Sequence, residues 1–284
     1  MPYYYEEKGW KKYTEALIPI IILVIIAVVL LGKTTNIFCN VPFLGSMLCT
    51  RGQVMIGLIG DFTTNANTDI KANLFKSVID EKGAQYQIYT VPIDQNILRF
   101  PREKLLGKFD IVIVAGIKNL TYEARDALGV WVQNGGKIIL VGDAGTLDPN
   151  DVLIKGWSST AFGDAVPVSL AITGPVSGIP TKIIDNAFLN FIGEHPVLHD
   201  YATQYQLNLS EVAASCQTIK TVDVAPATGA DQIAWLVNAN DNSKFALAVL
   251  EKSTIWGGKI LYFNYDPGCT KGIAFASIRY LAGR

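Results

Sequence analysis

The sequence of 284 residues predicts an α/β domain built on a parallel sheet and preceded by one transmembrane helix. Short apolar runs alternate with segments of helical spacing from residue 53 onward, the order from which such a sheet is built. The runs are apolar on both faces, as strands are when helices cover them on each side. A separate, uncharged apolar run lies near the N-terminus. These observations predict one sheet with helices on both faces.

The first half of the domain is expected to contain four strands and two helices. The first helix, residues 69–83, has apolar residues at helical spacing. The second helix follows Thr121, a preferred N-cap residue, and its terminator is Gly135. The predicted strands are residues 53–61, 86–93, 109–116 and 137–145.

The second half combines an irregular segment with further strands. Residues 148–185 are rich in Gly, Pro, Ser and Val, and they predict an inserted β excursion of short strands and loops. Two later runs predict a hairpin, and a last strand and a helix follow them. We expect residues 53–284 to form one domain that includes the excursion. The hairpin strands, the last strand and the last helix lie in residues 231–238, 244–252, 257–268 and 271–284.

The uncharged run predicts a transmembrane helix at residues 16–34. A spanning helix needs about 20 predominantly apolar residues, and the run reaches that length once its ends are included. Lysines and aromatic residues precede it, so we expect residues 1–15 in the cytoplasm and the domain outside the cell. No convincing cleavage site follows the run, which favours an uncleaved anchor with a juxtamembrane loop at residues 35–52. The chain is therefore expected to be a single-pass protein of the cell membrane that contacts lipid through its anchor.

A second interpretation of the N-terminus is a pilin-like assembly subunit. Gly9 and Glu15 stand before the apolar run, an arrangement that resembles the leader of type IV pilin-like proteins with cleavage after Gly9. The residues between them are polar or aromatic, which fits that leader poorly. The Ile, Tyr and Asn usage and the short anchor are compatible with an archaeal envelope protein.

All four cysteines follow the predicted anchor, which an oxidising compartment permits. We predict one disulfide between Cys39 and Cys49, because they bracket a short loop. The remaining pair, Cys216 and Cys269, is expected to form the second, although four cysteines allow three connectivities and proximity is the only argument for this one. Four free thiols in a reducing compartment are the alternative.

Further signals concern ligands and modification. A net charge of -1 without a basic stripe argues against a nucleic-acid partner. The two histidines, His195 and His199, have a spacing that occurs in zinc motifs, but Pro196 disfavours helix at His195, so no metal site is predicted there. Glycosylation sequons at Asn119 and Asn208 agree with a location outside the cell.

Three carboxylates, Asp61, Asp143 and Asp266, each follow a predicted strand with a glycine nearby. Because functional sites of parallel sheets lie at the carboxyl ends of the strands, the three are candidates for one binding site. Their oxygens suit Ca²⁺ or a sugar, and a pair of them suits acid/base chemistry. The alternative is that each Asp caps the turn after its strand. His195 is a fourth candidate, either packed over the strand ends or held in a proline turn.

The order of several segments resembles the class I glutamine amidotransferase-like superfamily, especially its ThuA-like branch. The segments are FDIVIVAG, WVQNGGKIILVGDAG, EHPVLHDY and GGKILYFNYDPG, and the resemblance covers residues 53–284 with gaps. It implies a flavodoxin-like, amidotransferase-like sheet whose strand-to-helix elbow carries the nucleophile. In that alignment Val141 and Gly145 take the two glycine positions of the elbow, and Asp143 takes the position of the catalytic cysteine.

This departure from the family pattern decides the functional expectation. The chain has no cysteine at the elbow and no His followed two residues on by Glu, so amide hydrolysis lacks both nucleophile and base. We therefore predict no catalytic residue and no cofactor, with Ca²⁺ as the alternative. The expected function is a non-catalytic extracytoplasmic domain that binds a protein partner or a cell-envelope component, as an accessory or structural subunit. The alternative is a carbohydrate-active or metal-assisted hydrolase that uses Asp61, Asp143 and Asp266.

Overall fold

The computed structural model of the protein divides into two compact units, Met1–Arg51 and Gly52–Arg284. Most of the predicted anchor at residues 16–34 lies outside the described residues, as do Cys39, Cys49, His199 and Asn208. Among the described residues, none of the helices combines the length and the hydrophobicity that a membrane-spanning helix needs. The described residues are 18–19, 23, 53–98, 102–147, 156–157, 160–170, 178–198 and 211–283.

Among the described residues of the second unit, nine strands form the central sheet, in the order β2-β1-β3-β4-β13-β12-β11-β7-β8. The first five strands of this order are parallel, and the last four join by antiparallel pairing. In chain order the strands are β1 (Val54–Gly60), β2 (Ile88–Pro92), β3 (Ile111–Ala115), β4 (Lys137–Val141), β5 (Val168–Leu170), β6 (Thr181–Asp185), β7 (Ala187–Phe191), β8 (Glu211–Ala213), β9 (Thr218–Val222), β10 (Val224–Pro226), β11 (Asp231–Asn238), β12 (Lys244–Ser253) and β13 (Lys259–Phe263).

Helices cover both faces of the parallel half. The residues of β3 alternate between two hydrophobic clusters, with Ile111 and Ile113 in one and Val112 and Val114 in the other. The first cluster includes side chains of α1 and α4, and the second includes side chains of α2 and α3. The strand is therefore buried on both sides, as its apolar sequence predicts. The helices are α1 (Asn73–Tyr86), α2 (Tyr122–Gln133), α3 (Ala161–Ala165) and α4 (Lys271–Ala282), and 3₁₀ helices lie at Gln95–Ile97, Arg102–Lys108 and Pro267–Thr270.

Several local predictions are confirmed. The side chain of Thr121 accepts a hydrogen bond from the backbone N–H of Ala124 at 3.2 Å, as the N-cap of α2. Gly135 follows α2 with a φ of 97°, which suits glycine. β11 and β12 form the predicted hairpin. Part of the predicted excursion pairs outside the main sheet, β5 with β10 and β6 with β9.

The prediction of a parallel sheet holds for five of the nine strands. β13 is parallel to β4 on one side and antiparallel to β12 on the other. The change of direction arises because a short turn, residues 254–258, joins β12 to β13, and so short a connection produces antiparallel strands. β13 thus joins the two halves of the sheet.

Candidate functional site

A crevice opens where the strand order reverses. From β1 the chain adds β2 on one side and then returns to add β3 on the other, so the switch point lies between β1 and β3. Ligands of open α/β sheets bind in this place, outside the carboxyl ends of the strands. The cavity there has a volume of about 450 Å³. We call it the switch crevice, and its lining is Gly60, Asp61, Asn65, Asn67, Ile93, Asp94, Gln95, Gly116 and Ile117.

Two glycines form the floor where β1 and β3 end. Gly60 and Gly116 have φ angles of 117° and 68°, and both conformations favour glycine. A Cβ added to Gly60 would lie 1.8 Å from the carbonyl oxygen of Ala115, and one added to Gly116 would lie 1.6 Å from that of Asp61. The two chain segments therefore approach more closely than any side chain at these positions would allow.

Backbone N–H groups hold the polar side chains of the switch crevice in place. Asp61 accepts from the N–H of Thr63 at 2.9 Å. Asp94 accepts from the N–H of Asn96 at 2.9 Å, and Gln95 accepts from that of Thr121 at 3.0 Å. Each bond fixes one side-chain oxygen. A carboxylate retains its second oxygen as an acceptor, and an amide retains its NH₂ group as a donor.

The charge of the lining restricts the ligand. Asp61 and Asp94 are carboxylates, and the described lining contains no Lys, Arg or His. Phosphate recognition relies on cationic side chains or on the free N–H groups of a helix N-terminus. The switch crevice therefore suits an uncharged, hydroxylated ligand or a cation rather than a phosphate.

Asp143 lies at the same edge of the sheet but outside the crevice lining. Its side chain has 0% exposure. Its carboxylate accepts from the backbone N–H of Asp69 at 3.0 and 2.9 Å and from that of Ile70 at 3.2 Å. Lys118 Nζ lies 3.3 Å from Asp143 and 2.6 Å from Asp69. The carboxylate thus caps the connection between β1 and α1.

The pKa values of this group follow from burial and from a shared cation. Burial raises the pKa of Asp143, and hydrogen bonds from Asp69 and the Lys118 charge only partly oppose it. For Asp69 burial acts in the same sense, but Lys118 and Lys220 outweigh it and lower the pKa. Lys118 contacts both carboxylates, so its positive charge is shared between Asp69 and Asp143.

Asp266 also serves as a cap. Its carboxylate accepts from the N–H groups of Leu74 and Phe75 in the first turn of α1, at 3.0 and 2.9 Å. It accepts from the N–H of Gly268 at 2.9 Å as well. Burial raises its pKa, against the effect of these three bonds. The N–H groups at the start of α1, an anion site in many α/β folds, are thus occupied by the chain's own carboxylate.

His195 lies at the opposite edge of the sheet, beside a buried carboxylate that the sequence analysis missed. We call Glu251, Lys259, Tyr280 and His195 the Glu251 cluster. Glu251 accepts from Lys259 at 3.1 Å and from the hydroxyl of Tyr280 at 3.0 Å, and Lys259 also contacts Tyr280. His195 Nε2 lies 3.6 Å from Glu251 Oε2.

The contact between His195 and Glu251 is longer than a hydrogen bond and is therefore mainly electrostatic. His195 Nδ1 accepts from the N–H of Val197 at 3.3 Å, which places the ring proton on Nε2, towards Glu251. Burial opposes ionisation of Glu251, but His195 and Lys259 outweigh it and lower its pKa to about 2. Both ring nitrogens of His195 are used within the fold.

The sequence carried little signal for these groups. Glu251 stands at the end of an apolar strand, where a charge is usually exposed. Of the four candidate residues, the structure places Asp61 in the switch crevice, Asp143 and Asp266 in backbone caps, and His195 in the Glu251 cluster. The crevice residues Asn65, Asn67, Asp94 and Gln95 were missed because they lie in connections without a motif.

The predicted disulfide between Cys216 and Cys269 is confirmed, with 5.2 Å between the Cα atoms. Asn119, the described sequon residue, is half-buried and receives a weak hydrogen bond from Asn67 at 3.5 Å. Across the described residues, no group of three or more His, Cys, Asp or Glu side chains could hold a metal ion.

These features define a flavodoxin-like α/β domain with a polar switch crevice. No family model matches the chain, and no curated protein matches it significantly in sequence. Among solved structures it is similar to a ThuA-like protein from Bacteroides uniformis, with 13% identity, a TM-score of 0.51, and coverage of 81% of this chain and 91% of the other. The fold is thus that of ThuA-like proteins.

The domain is also similar to part of two larger enzymes. The β-galactosidase of Rahnella sp. R3 aligns at 12% identity and a TM-score of 0.53, over 84% of this chain and 33% of the enzyme. That of Bacillus circulans aligns at 11% identity and the same TM-score, over 84% and 32%. This chain matches only about a third of either enzyme, and likeness at such identity shows the fold alone.

Proposed function

We propose that the chain is a membrane-anchored, non-catalytic domain that lies outside the cytoplasm and binds a cell-envelope component in the switch crevice. The observation that carries the proposal is the state of Asp143. It stands where amidotransferases have their nucleophile, yet it has 0% exposure. A nucleophile needs an exposed reactive atom and an adjacent base, and this carboxylate holds backbone N–H groups instead.

The cysteines support the absence of amidotransferase chemistry. Cys216 and Cys269 are joined in a disulfide, so neither supplies a thiolate. Cys39 and Cys49 precede the domain in sequence and belong to the proposed juxtamembrane loop. The proposed function therefore assigns a nucleophilic role to none of the four cysteines.

The lining of the switch crevice supports the class of ligand. Fixed carboxylate oxygens accept hydrogen bonds from hydroxyl groups, and the amides of Asn65 and Gln95 both donate and accept. The cavity of about 450 Å³ is of the size that takes a small ligand or the end of a chain. We infer that the envelope component is an uncharged, hydroxylated compound, such as a neutral glycan.

The experiment is an isothermal calorimetric titration of the detergent-solubilised full chain with neutral oligosaccharides. Inorganic phosphate serves as the negative probe. We expect the wild type to bind an oligosaccharide. The affinity for it should fall at least tenfold in Asp61→Asn and in Asp94→Asn. Asp80→Asn is the matched control, because this exposed carboxylate lies on α1, outside the crevice lining.

Other outcomes distinguish the alternatives. Release of monosaccharide during the titration, lost in Asp61→Asn, would favour the hydrolase that uses strand-end aspartates. Oligosaccharide binding that is unchanged in both Asp61→Asn and Asp94→Asn would argue against the crevice as the site. A mature N-terminus that starts after Gly9, measured by mass spectrometry, would favour the pilin-like subunit over the uncleaved anchor.

A further inference from the structure

The turn between β12 and β13 carries two exposed apolar side chains. Ile255 is 98% exposed and Trp256 is 76% exposed, and these are the highest values among the large hydrophobic residues that the structure describes. Isolated surface hydrophobics are common, but two adjacent ones at the tip of a hairpin, one of them Trp, are not explained by folding. We call residues 254–258 the hairpin tip.

The hairpin tip is held rigidly. Thr254 donates its N–H to the carbonyl of Gly258 at 2.7 Å, and its hydroxyl accepts from the N–H of Gly258 at 2.9 Å. The same hydroxyl donates to the carbonyl of Val132, at the end of α2, at 3.3 Å. A Cβ added to Gly258 would lie 1.7 Å from that carbonyl oxygen, so the turn rests directly on the helix. The exposed side chains are therefore presented at little entropic cost.

The hairpin tip lies at the edge of the sheet where the parallel strands begin. Lys259, which follows the tip, pairs with Lys137 at the start of β4. β1 begins at Val54 at this same edge, so the polypeptide that precedes Gln53 joins the domain here. The chain before that point contains the proposed anchor and the loop of residues 35–52.

We propose that Ile255 and Trp256 insert into the headgroup region of the membrane that holds the anchor. This inference rests on the proposed anchoring. Trp is enriched at membrane interfaces because its ring is apolar with one polar N–H, and Ile adds apolar area. A protein partner is the less favoured occupant, since two side chains provide far less than the roughly 800 Å² per partner of a stable interface.

The contact of Ile255 and Trp256 with the membrane depends on the proposed anchor. Two of the nearby lysines have partners within the fold, because Lys252 donates to the carbonyl of Asp164 and Lys259 pairs with Glu251. Two apolar side chains alone bind a bilayer weakly. A covalent anchor makes the contact intramolecular and raises its effective concentration, so a weak contact suffices to orient the domain. The switch crevice, at the other edge of the sheet, then faces away from the membrane.

The test uses the full chain in phosphatidylcholine vesicles that contain lipid brominated near the headgroup, which quenches Trp emission at short range. The chain has five Trp residues, and Trp10 is replaced by Phe because it lies next to the proposed anchor. We expect brominated lipid to quench a clearly larger fraction of the Trp emission of this protein than of the same protein with Trp256→Phe. Trp131→Phe is the matched control, since this half-buried Trp lies near the tip and its loss leaves the quenching difference intact.

Two further measurements separate the outcomes. Acrylamide quenching of Trp256 in vesicles should fall below its value in detergent, and alkaline extraction should leave the chain in the membrane. A retained chain whose Trp256 stays open to acrylamide and unquenched by lipid would overturn the inference and leave the anchoring intact. Trp256 shielded from acrylamide without lipid quenching would also overturn it, in favour of a protein contact. A chain released by alkali would overturn the anchoring and the inference together.

Discussion

The two edges of the parallel sheet both bury carboxylates, but they stabilise them in different ways. At the carboxyl ends of the strands, Asp143 and Asp266 accept mainly from neutral backbone N–H groups. At the amino ends, Glu251 accepts from charged or polar side chains, including Lys259. The pKa of Glu251 is lowered to about 2, whereas burial raises the pKa values of both aspartates.

The difference shows what each arrangement contributes. Neutral N–H groups orient a carboxylate and fix the chain around it, but they only partly offset the cost of burying its charge. A nearby cation offsets more of that cost when it serves one carboxylate, as Lys259 does. Lys118 divides its charge between Asp69 and Asp143, and at Asp143 it does not outweigh the effect of burial. The caps therefore fix geometry, and the Glu251 cluster adds pH-dependent stability.

The largest expected effect is that of Asp143→Ala. The change leaves the N–H groups of Asp69 and Ile70 without their acceptor and removes one partner of Lys118, all in a buried site. We expect a loss of about 4 kcal/mol in the free energy of unfolding, measured by urea denaturation of the full chain in detergent. Asp143→Asn, which keeps one acceptor oxygen, should lose about half as much. Equal stability of Asp143→Ala and the wild type would mean that the cap is not formed.

The disulfide beside the Asp266 cap gives the next effect. Cys216 and Cys269 are separated by 53 positions, and their bond ties the β8–β9 connection to the 3₁₀ helix that follows Asp266. Replacing both with Ser should cost about 3 kcal/mol, because the unfolded chain regains the freedom of a long loop. Unfolding midpoints of the double variant and the wild type, without reductant, measure this. A reduced wild type that unfolds like the double variant is the control.

A pH titration of stability tests the Glu251 cluster. The folded pKa of Glu251 is depressed, so its contribution is complete above the ordinary value of 4.5 and is lost as the pH falls towards 2. We expect roughly 2 kcal/mol of stability to disappear across that interval in the wild type. Glu251→Gln should remove this part of the pH dependence and be less stable at pH 7. An unchanged acid profile in Glu251→Gln would assign the acid sensitivity to other carboxylates.

Asp61→Asn should have the smallest effect on folding. Its side chain is half-exposed, and Asn retains an oxygen that accepts from the N–H of Thr63. The free energy of unfolding should change by no more than about 0.5 kcal/mol. This near-neutrality distinguishes a crevice residue from the caps beside it. A loss as large as that of Asp143→Asn would show that Asp61 belongs with the caps.

Sequence patterns predicted the parts of the fold that have a local signal. The parallel half follows from apolar runs that alternate with helices, and Thr121 marks the start of α2 because an N-cap needs a short polar side chain. The pairing of β13 with β4 has no such signal, since the two strands are far apart in the chain. The antiparallel extension depends on that pairing and on the turn at residues 254–258.

The candidate site was predicted less well for a related reason. Asp143 and Asp266 lie at the expected edge, because every residue that directly follows a parallel strand lies at the carboxyl-end edge of the sheet. Their partners are backbone N–H groups, which every residue except proline has, so no residue type reveals a cap that forms between distant segments. His195 and Glu251 meet only because β7, β11 and β12 pair in a fixed register. Spacing in the sequence does not encode that meeting.

The position of β13 has a consequence for biosynthesis. This strand stands fifth of nine in the sheet, yet it comes from Lys259–Phe263, near the end of the sequence. A nascent chain that stops short of Lys259 leaves β4 with an open apolar edge, which is prone to aggregation. Closure of the sheet must therefore wait until Lys259–Phe263 has been synthesised.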